Sequence, residues 1–292
     1  MSYLDTFMRL LFIIIFFLTN QAIAEIYIAN NVSEISVTLI KSLKDRDASR
    51  SLILFPMDRF LLEPKHPAFY SSDQHSEFLI KKYGKKIKLS RKPYLDELIL
   101  TNYDQQLSDP NIIEFINELQ KFNVPMLAVT RNISGSIDGI SHLEVWNWLK
   151  LKEFGIDLSS SPLGKYQIRF DKRLKQVRGT YPTLYKGLLS CNSYLRENSP
   201  QSILASLFAV KLKWLPDIIY AIDRNEGYLK SLESQFKTLR PDVQFIGFVY
   251  APKEKISKLP VKEFEQFWSD LVIKLNKVQR RELDESGDPY EQ

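Results

Sequence analysis

Four short apolar runs in this sequence alternate with segments that have the periodicity of amphipathic helices. Each run is rich in branched or aromatic residues and is bounded by turn formers, which is typical of strands buried on both faces. The predicted strands are residues 51–55, 125–130, 218–222 and 243–250, and the predicted helices are 111–122, 141–154, 202–212 and 226–239. Alternation of this kind requires crossover connections, which favour parallel strands. The predicted fold class is therefore α/β, with a mostly parallel sheet flanked by helices.

Two long segments do not follow the alternation, and we expect them to project from the carboxyl edge of the sheet. They predict a cap insertion at about residues 62–110 and a second insertion at about residues 131–200. The chain of 292 residues is 44% hydrophobic, which suits one substantial core or two small ones. We predict one α/β domain over residues 25–277. Residues 278–292 are mostly charged and lack an apolar face, which predicts a flexible tail.

The first 24 residues have the organisation of a secretory signal peptide. Arg9 precedes an unbroken apolar run, and the triplet Ala22-Ile23-Ala24 has small residues at its first and third positions. The competing interpretation, an uncleaved membrane anchor, needs an apolar span of about 20 residues, roughly twice this run. We expect cleavage between Ala24 and Glu25, export to the periplasm or beyond, and no transmembrane segment after the leader is removed.

The cysteine and histidine content gives little support to nucleophilic or zinc chemistry. Cys191 is the only cysteine, so an internal disulfide is excluded, and we predict a small buried apolar side chain. The three histidines, His66, His75 and His142, have no spacing that is typical of a zinc site.

Polar residues follow three of the predicted strands. Asp58 comes after the first strand, Thr130 and Arg131 end the second, and Asp223 ends the third. Because the carboxyl ends of parallel strands lie at one edge of a sheet, we expect these residues to converge on one crevice and bind a ligand there. The alternative is that Asp58, Thr130 and Asp223 only cap turns or helices.

Three segments carry a resemblance to a known superfamily. They are SLILFPMDRFLL, VPMLAVTRNIS and IIYAIDRNEGYLKSL, in this order along the chain. Over about residues 51–250 the chain resembles the haloacid dehalogenase (HAD-like) superfamily of phosphotransferases, and as a whole it resembles an exported bacterial family of unknown function assigned to that superfamily. The resemblance implies a HAD-like, Rossmann-type sheet with cap insertions.

The resemblance also implies a role for each position of the first two motifs. In the superfamily one Asp attacks phosphorus, a second Asp two residues later is the general acid and base, and a Thr or Ser binds phosphate. Pro56 stands in the position of the nucleophile and Phe60 in that of the motif threonine, whereas Asp58 matches the general acid and base and Thr130 matches the phosphate-binding hydroxyl.

The later motifs are also incomplete. Of the acidic pair that completes the superfamily's magnesium site, Ile222 replaces the first member and Asp223 matches the second. The phosphate-binding lysine falls near Pro200, and Lys211 or Lys213 would have to substitute for it. We predict a catalytically inactive protein that binds a ligand or partner and needs no cofactor. The alternatives are a phosphatase-like hydrolase with an atypical magnesium site, in which Asp223 is the candidate ligand, and an envelope-associated interaction protein.

A basic run lies inside the predicted cap. Residues 81–92 contain no acidic residue and carry the cations Lys81, Lys82, Lys85, Lys86, Lys88, Arg91 and Lys92. Such a run could contact an anionic surface or a partner's acidic face, and the alternative is a solvated surface segment. No nucleic-acid-binding motif accompanies it, so we do not expect nucleic acid as a partner.

Overall fold

The computed structural model describes residues 25–70, 81–86, 95–137, 139–170, 174, 176, 180–193 and 198–277. Its strands are β1 (Glu25–Ala29), β2 (Ser51–Pro56), β3 (Leu62–Pro64), β4 (Gln105–Leu107), β5 (Met126–Thr130), β6 (Gln167–Arg169), β7 (Thr183–Tyr185), β8 (Leu188–Ser190), β9 (Ile218–Asp223) and β10 (Gln244–Tyr250). Its α-helices are α1 (Val32–Lys44), α2 (Leu95–Asn102), α3 (Ile112–Lys121), α4 (Leu143–Glu153), α5 (Pro200–Ser206), α6 (Glu226–Leu239) and α7 (Val261–Lys277).

The main sheet has eight strands within the described residues, in the order β1-β10-β9-β2-β5-β8-β7-β6. The first six strands in this order, which end with β8, pair in parallel. The pairs β8–β7 and β7–β6 are antiparallel. β2 lies between β9 and β5, so the three strands that end in polar residues are direct neighbours. The protein is a mixed α/β fold with a mostly parallel sheet flanked by helices.

Helices cover both faces of this sheet, which explains why β2 is apolar at consecutive positions. Ile53 and Phe55 pack into a cluster with α1, α3 and α4 on one face. Leu52 and Leu54 pack with α5, α6 and the π-helix Leu207–Leu212 on the other. Alternate side chains of a strand point to opposite faces, so a strand between two helical layers has no solvent-facing position to fill with a polar residue.

The four predicted strands and the four predicted helices are confirmed, with ends that differ by at most a few residues. The helix predicted over residues 202–212 is α5 followed by the π-helix Leu207–Leu212. In α6 the predicted apolar stripe of Leu229, Leu232 and Phe236 is buried, as the prediction requires. β1, α1 and α7 were not predicted, and neither were the shorter elements α2, β3, β4, β6, β7 and β8.

The two predicted insertions differ in how they join the sheet. The described part of residues 131–200 supplies α4 and then β6, β7 and β8, and β8 pairs with β5, so this segment extends the main sheet instead of only projecting from its edge. Part of the first segment forms the small sheet of β3 and β4. Its residues Ala68, Phe69 and Leu98 pack against α7 in a separate apolar cluster.

The predicted leader of residues 1–24 and the predicted tail of residues 278–292 lie outside the described residues, so the leader, the cleavage site and the tail stay predictions. Across the ranges that the structure describes, no helix combines the length and the apolar character needed to span a bilayer.

Candidate functional site

A tight turn follows β2 and sets the direction of Asp58. The amide of Met57 donates to the carbonyl of Val129, which keeps the chain paired with β5, and the amides of Leu61 and Leu62 both donate to the carbonyl of Met57. Arg59 has a φ of 60°, in the left-handed region that a residue with a Cβ rarely adopts. The turn buries Met57 and leaves Asp58 and Arg59 exposed at the end of the strand.

Thr130, the last residue of β5, is bonded to Asp58. Its hydroxyl donates to Oδ2 of Asp58 at 2.7 Å and accepts the amide of Asn132 at 3.2 Å. The Thr130 side chain is 1% exposed, so both hydrogen bonds join groups at the boundary of the core. The ends of β2 and β5 are therefore fixed to one another by side chains as well as by the sheet.

Asp223 ends β9 and turns the chain into α6. Its Oδ1 accepts the amide of Asn225 at 2.8 Å, and Asn225 in turn accepts the amide of Tyr228 as the N-cap of the helix. Burial raises the pKa of Asp223 above its ordinary value, and the hydrogen bond from Asn225 and the charges of Arg131 and Arg224 oppose the increase only in part.

These strand ends surround one cavity of about 210 Å³, which we call the strand-end cavity. Its polar lining consists of Asp58, Arg59, Thr130, Arg131, Asp223, Arg224 and Tyr228. No ion pair joins any of the three arginines to a carboxylate within the described part of the chain. Three arginines and two aspartates thus line one small space, and burial raises the pKa of Tyr228, so its phenol is neutral there.

The structure brings the four predicted ligand-binding residues, Asp58, Thr130, Arg131 and Asp223, to this one cavity. Their role in binding stays a prediction, and so does the capping role that is its alternative. Asp223 does cap the turn before α6, through the hydrogen bond from the amide of Asn225.

The positions that depart from the superfamily's motifs lie at different depths. Pro56 and Ile222 line the strand-end cavity. Phe60 lies below it in the core, with its ring centroid 5.2 Å from that of Tyr250, so it does not fill the cavity. Pro200, near the expected lysine, also lines the cavity, whereas Lys211 lies over the ring of Phe170 and neither Lys211 nor Lys213 is among the lining residues.

The magnesium ion that the resemblance implies does not fit the residues that are present. Within the described residues, no three Asp, Glu, His or Cys side chains form a group able to hold a metal ion. Asp58 and Asp223 are the carboxylates of the cavity, and Asp58 already accepts the hydroxyl of Thr130. Magnesium needs hard oxygen ligands, and three guanidinium charges in the same cavity oppose a divalent cation.

Sequence reasoning missed Arg59, Arg224 and Tyr228, although a signal for them was present. Arg59 and Arg224 each directly follow an acidic residue that had been chosen for its position at a strand end. Extending the strand-end argument by one residue would have found both. Tyr228 lies in the first turn of α6, where a helix that starts at the sheet edge has to face the cavity.

Neither Cys191 nor any described lysine of the basic run lines the strand-end cavity. Lys82 pairs with Glu265 of α7 at 3.4 Å, and the ammonium groups of Lys82 and Lys86 lie over the ring of Tyr83. Lys88, Arg91 and Lys92 lie outside the described residues, as does His75. Cys191 is fully buried and burial raises the pKa of its thiol, which makes it unreactive.

Comparisons with known proteins find relatives over nearly the whole chain. An uncharacterized protein of Rickettsia felis is 27% identical over 280 residues, which cover 94% of this chain and 93% of that protein. An uncharacterized protein of Rickettsia typhi is 28% identical over 284 residues, with the same coverage of both chains. No solved structure gives a significant match. A family model described as "Protein of unknown function (DUF2608)" matches residues 29–280, and the chain belongs to that family.

Proposed function

We propose that this protein binds a small phosphate-bearing ligand in the strand-end cavity and does not transfer the phosphoryl group. The observation that carries the proposal is that three arginines, Arg59, Arg131 and Arg224, line one cavity at the carboxyl ends of parallel strands. Ligands of open α/β sheets bind at this edge, and arginine is well suited to phosphate because its donors match two phosphate oxygens at once.

Thr130 and the two carboxylates complete the proposed site. The resemblance to the HAD-like superfamily gives Thr130 the role of a phosphate-binding hydroxyl. Its single hydroxyl proton is donated to Asp58, so a phosphate oxygen would have to replace Asp58 as the acceptor. Asp58 and Asp223 limit the net positive charge and supply acceptors for hydroxyl or amino groups of the ligand. We also propose that the protein acts outside the cytoplasm, since its first 24 residues resemble a signal peptide.

The proposed absence of phosphoryl transfer rests on the position of the nucleophile. Pro56 occupies it and has no carboxylate that could attack phosphorus. The alternative, a hydrolase in which Asp58 activates water, requires a metal ion or another group to stabilise the phosphoryl charge. The arginines could supply part of that stabilisation, so the hydrolase remains an explicit outcome of the experiment.

Isothermal titration calorimetry with inorganic phosphate tests the proposal. We expect the wild-type chain to bind phosphate and Arg131→Ala to bind it at least about tenfold more weakly, which corresponds to about 1.4 kcal/mol for a lost charge-assisted hydrogen bond. Arg46→Ala is the matched control, because Arg46 is exposed and contacts Gln244 instead of the cavity. Absence of binding by the wild type, or equal affinities of the two variants, would contradict the proposal.

Hydrolysis is measured on the same protein with a chromogenic phosphate monoester. We expect no metal-dependent release of phosphate above the rate of an Asp58→Asn control. Turnover that is lost in Asp58→Asn would replace the binding function with the hydrolase alternative, whatever the calorimetry shows.

A further inference from the structure

A second, smaller cavity lies next to the strand-end cavity. It has a volume of about 90 Å³, and its polar residues are Arg59, Glu63, Tyr70, Ser108, Arg224, Lys253, Glu254 and Lys255. We call it the Tyr70 cavity. Arg59 and Arg224 line both cavities, so their side chains form the boundary between them. A ligand held by these two arginines would be in reach of both spaces.

The floor of the Tyr70 cavity is a fixed hydrogen-bond network. Glu63 is 8% exposed and accepts from Lys255 and, at 3.1 Å, from Gln106. Gln106 also donates to the hydroxyl of Tyr70 at 2.8 Å, and that hydroxyl donates to the carbonyl of Pro64. Burial, reinforced by the charge of Glu63, raises the pKa of Tyr70 to about 12, so its phenol is neutral at ordinary pH. The charge of Glu63 is therefore neutralised within the protein, by its ion pair with Lys255.

The remaining charges of the Tyr70 cavity are mainly positive. With Glu63 and Lys255 paired to each other, Arg59, Arg224 and Lys253 stand against the single carboxylate of Glu254. In the described part of the chain Lys253 makes no ion pair, and this exposed residue is among those that line the cavity. This excess of cations is what a second anionic group of a ligand would need.

We infer that the ligand carries two anionic groups, one held in the strand-end cavity and one in the Tyr70 cavity, with Arg59 and Arg224 between them. The ligand class is a bisphosphorylated small molecule or a diphosphate. The inference rests on the proposed function, because the first phosphate is the one that the strand-end cavity is proposed to bind.

Calorimetry with matched mono- and bisphosphates tests this inference. The probes are butane-1,4-diol monophosphate, butane-1,4-diol bisphosphate and inorganic pyrophosphate. We expect at least one of the two probes that carry two phosphate groups to bind the wild type tenfold or more tightly than the monophosphate. We expect Lys253→Glu to remove most of that advantage and to change the monophosphate affinity by less than about threefold, because Lys253 does not line the strand-end cavity.

Lys258→Glu is the control, since it makes the same charge change at an exposed lysine of the same segment that lines neither cavity. The inference is overturned if neither probe with two phosphate groups binds more tightly than the monophosphate. It is also overturned if Lys253→Glu and Lys258→Glu have equal affinities for these probes. In both cases monophosphate binding persists, which separates this failure from failure of the proposed function, where no probe binds.

Discussion

Thr130 is the residue that joins the two central strand ends of the site. Its hydroxyl contacts Asp58 of the turn after β2 and the amide of Asn132, and the side chain is almost completely buried. A valine in this position would have nearly the same shape and neither hydrogen bond. The hydroxyl is therefore the group whose contribution to the site can be isolated by a single substitution.

We expect Thr130→Val to lower the free energy of unfolding by about 1–3 kcal/mol, since it deprives a buried amide and a carboxylate of a hydrogen-bond partner. Thr38→Val is the matched control, because Thr38 is exposed on α1 and its hydroxyl donates to the carbonyl of Glu34. The control should change stability by less than about 0.5 kcal/mol. Urea denaturation measures both variants, and equal stabilities would show that the Thr130 hydroxyl does not hold the strand ends together.

The convergence of Asp58, Thr130 and Asp223 could be predicted from the sequence, because it follows from the ends of adjacent parallel strands. Arg131 was predicted in the same way, and Arg59 and Arg224 directly follow the two aspartates, but no sequence signal indicates that these two arginines also line a second cavity. Arg59 reaches both cavities from a left-handed backbone conformation, which the sequence around it does not signal because the residue is not glycine. The Tyr70 cavity depends on contacts between residues 63–70 and 252–255, which are far apart in the chain.

At the scale of elements, α7 packs against the first inserted segment and stabilises it. Trp268 is 5% exposed, its ring lies 6.1 Å from that of Phe69, and its Nε1 donates to the carbonyl of Ala68 at 3.2 Å. Tyr70, which lines the second cavity, comes directly after this contact. The packing of α7 thus bears on the position of a proposed binding residue.

We expect Trp268→Ala to lower the free energy of unfolding by about 3–5 kcal/mol, as large-to-small substitutions of buried aromatic residues do. Trp268→Phe retains much of the ring packing and should lose about 1 kcal/mol, mainly the hydrogen bond to Ala68. Ile273→Ala, on the exposed face of the same helix, serves as the control and should stay within about 0.5 kcal/mol of the wild type. If Trp268→Ala were as stable as Ile273→Ala, α7 would not be part of the folded core.

His66 makes the packing of α7 against the first inserted segment dependent on pH. Its ring stacks on Phe267 at 4.3 Å, and Nδ1 accepts the amide of Ala68 at 3.2 Å, so the neutral ring is the form that fits. Burial lowers the pKa of His66 below its ordinary value of 6.5. The unfolded chain therefore binds the proton more readily, and the stabilising contribution is complete above pH 6.5 and is lost as the pH falls below it.

We expect the free energy of unfolding to decrease between pH 7.5 and 5.5, and His66→Asn to show a shallower decrease. Asparagine retains an oxygen that can accept the amide of Ala68 but has no proton to bind in this range. The comparison of the two slopes by urea denaturation removes the contribution of other titrating groups. Identical slopes would mean that His66 stays solvated and does not titrate with folding.

The elements that were not predicted differ in how clearly the local sequence pattern indicates them. α7 has Phe264, Trp268, Leu271 and Leu275 on one face, so its pattern was present in the sequence. β6, β7 and β8 have three residues each, which is too short to show an alternation. They are strands because β8 pairs with β5, a tertiary contact that local sequence does not encode.

At the scale of the whole molecule, the strand-end and Tyr70 cavities share a wall of two arginines, and the chain has a net charge of +5. Positive charge concentrated at the mouth of a cleft attracts anions from a distance and weakens as salt screens it. We therefore interpret the protein as an anion-binding molecule in which arginines hold the phosphate and a metal ion has no role.

The most direct measurement of this central claim is the affinity of the wild-type chain for inorganic phosphate, measured by calorimetry without magnesium and at millimolar magnesium. We predict binding without magnesium and an affinity that magnesium changes by less than about twofold, because the arginines already neutralise the phosphate charge. Binding that appears only when magnesium is present would contradict it, since the ion would then be part of the site.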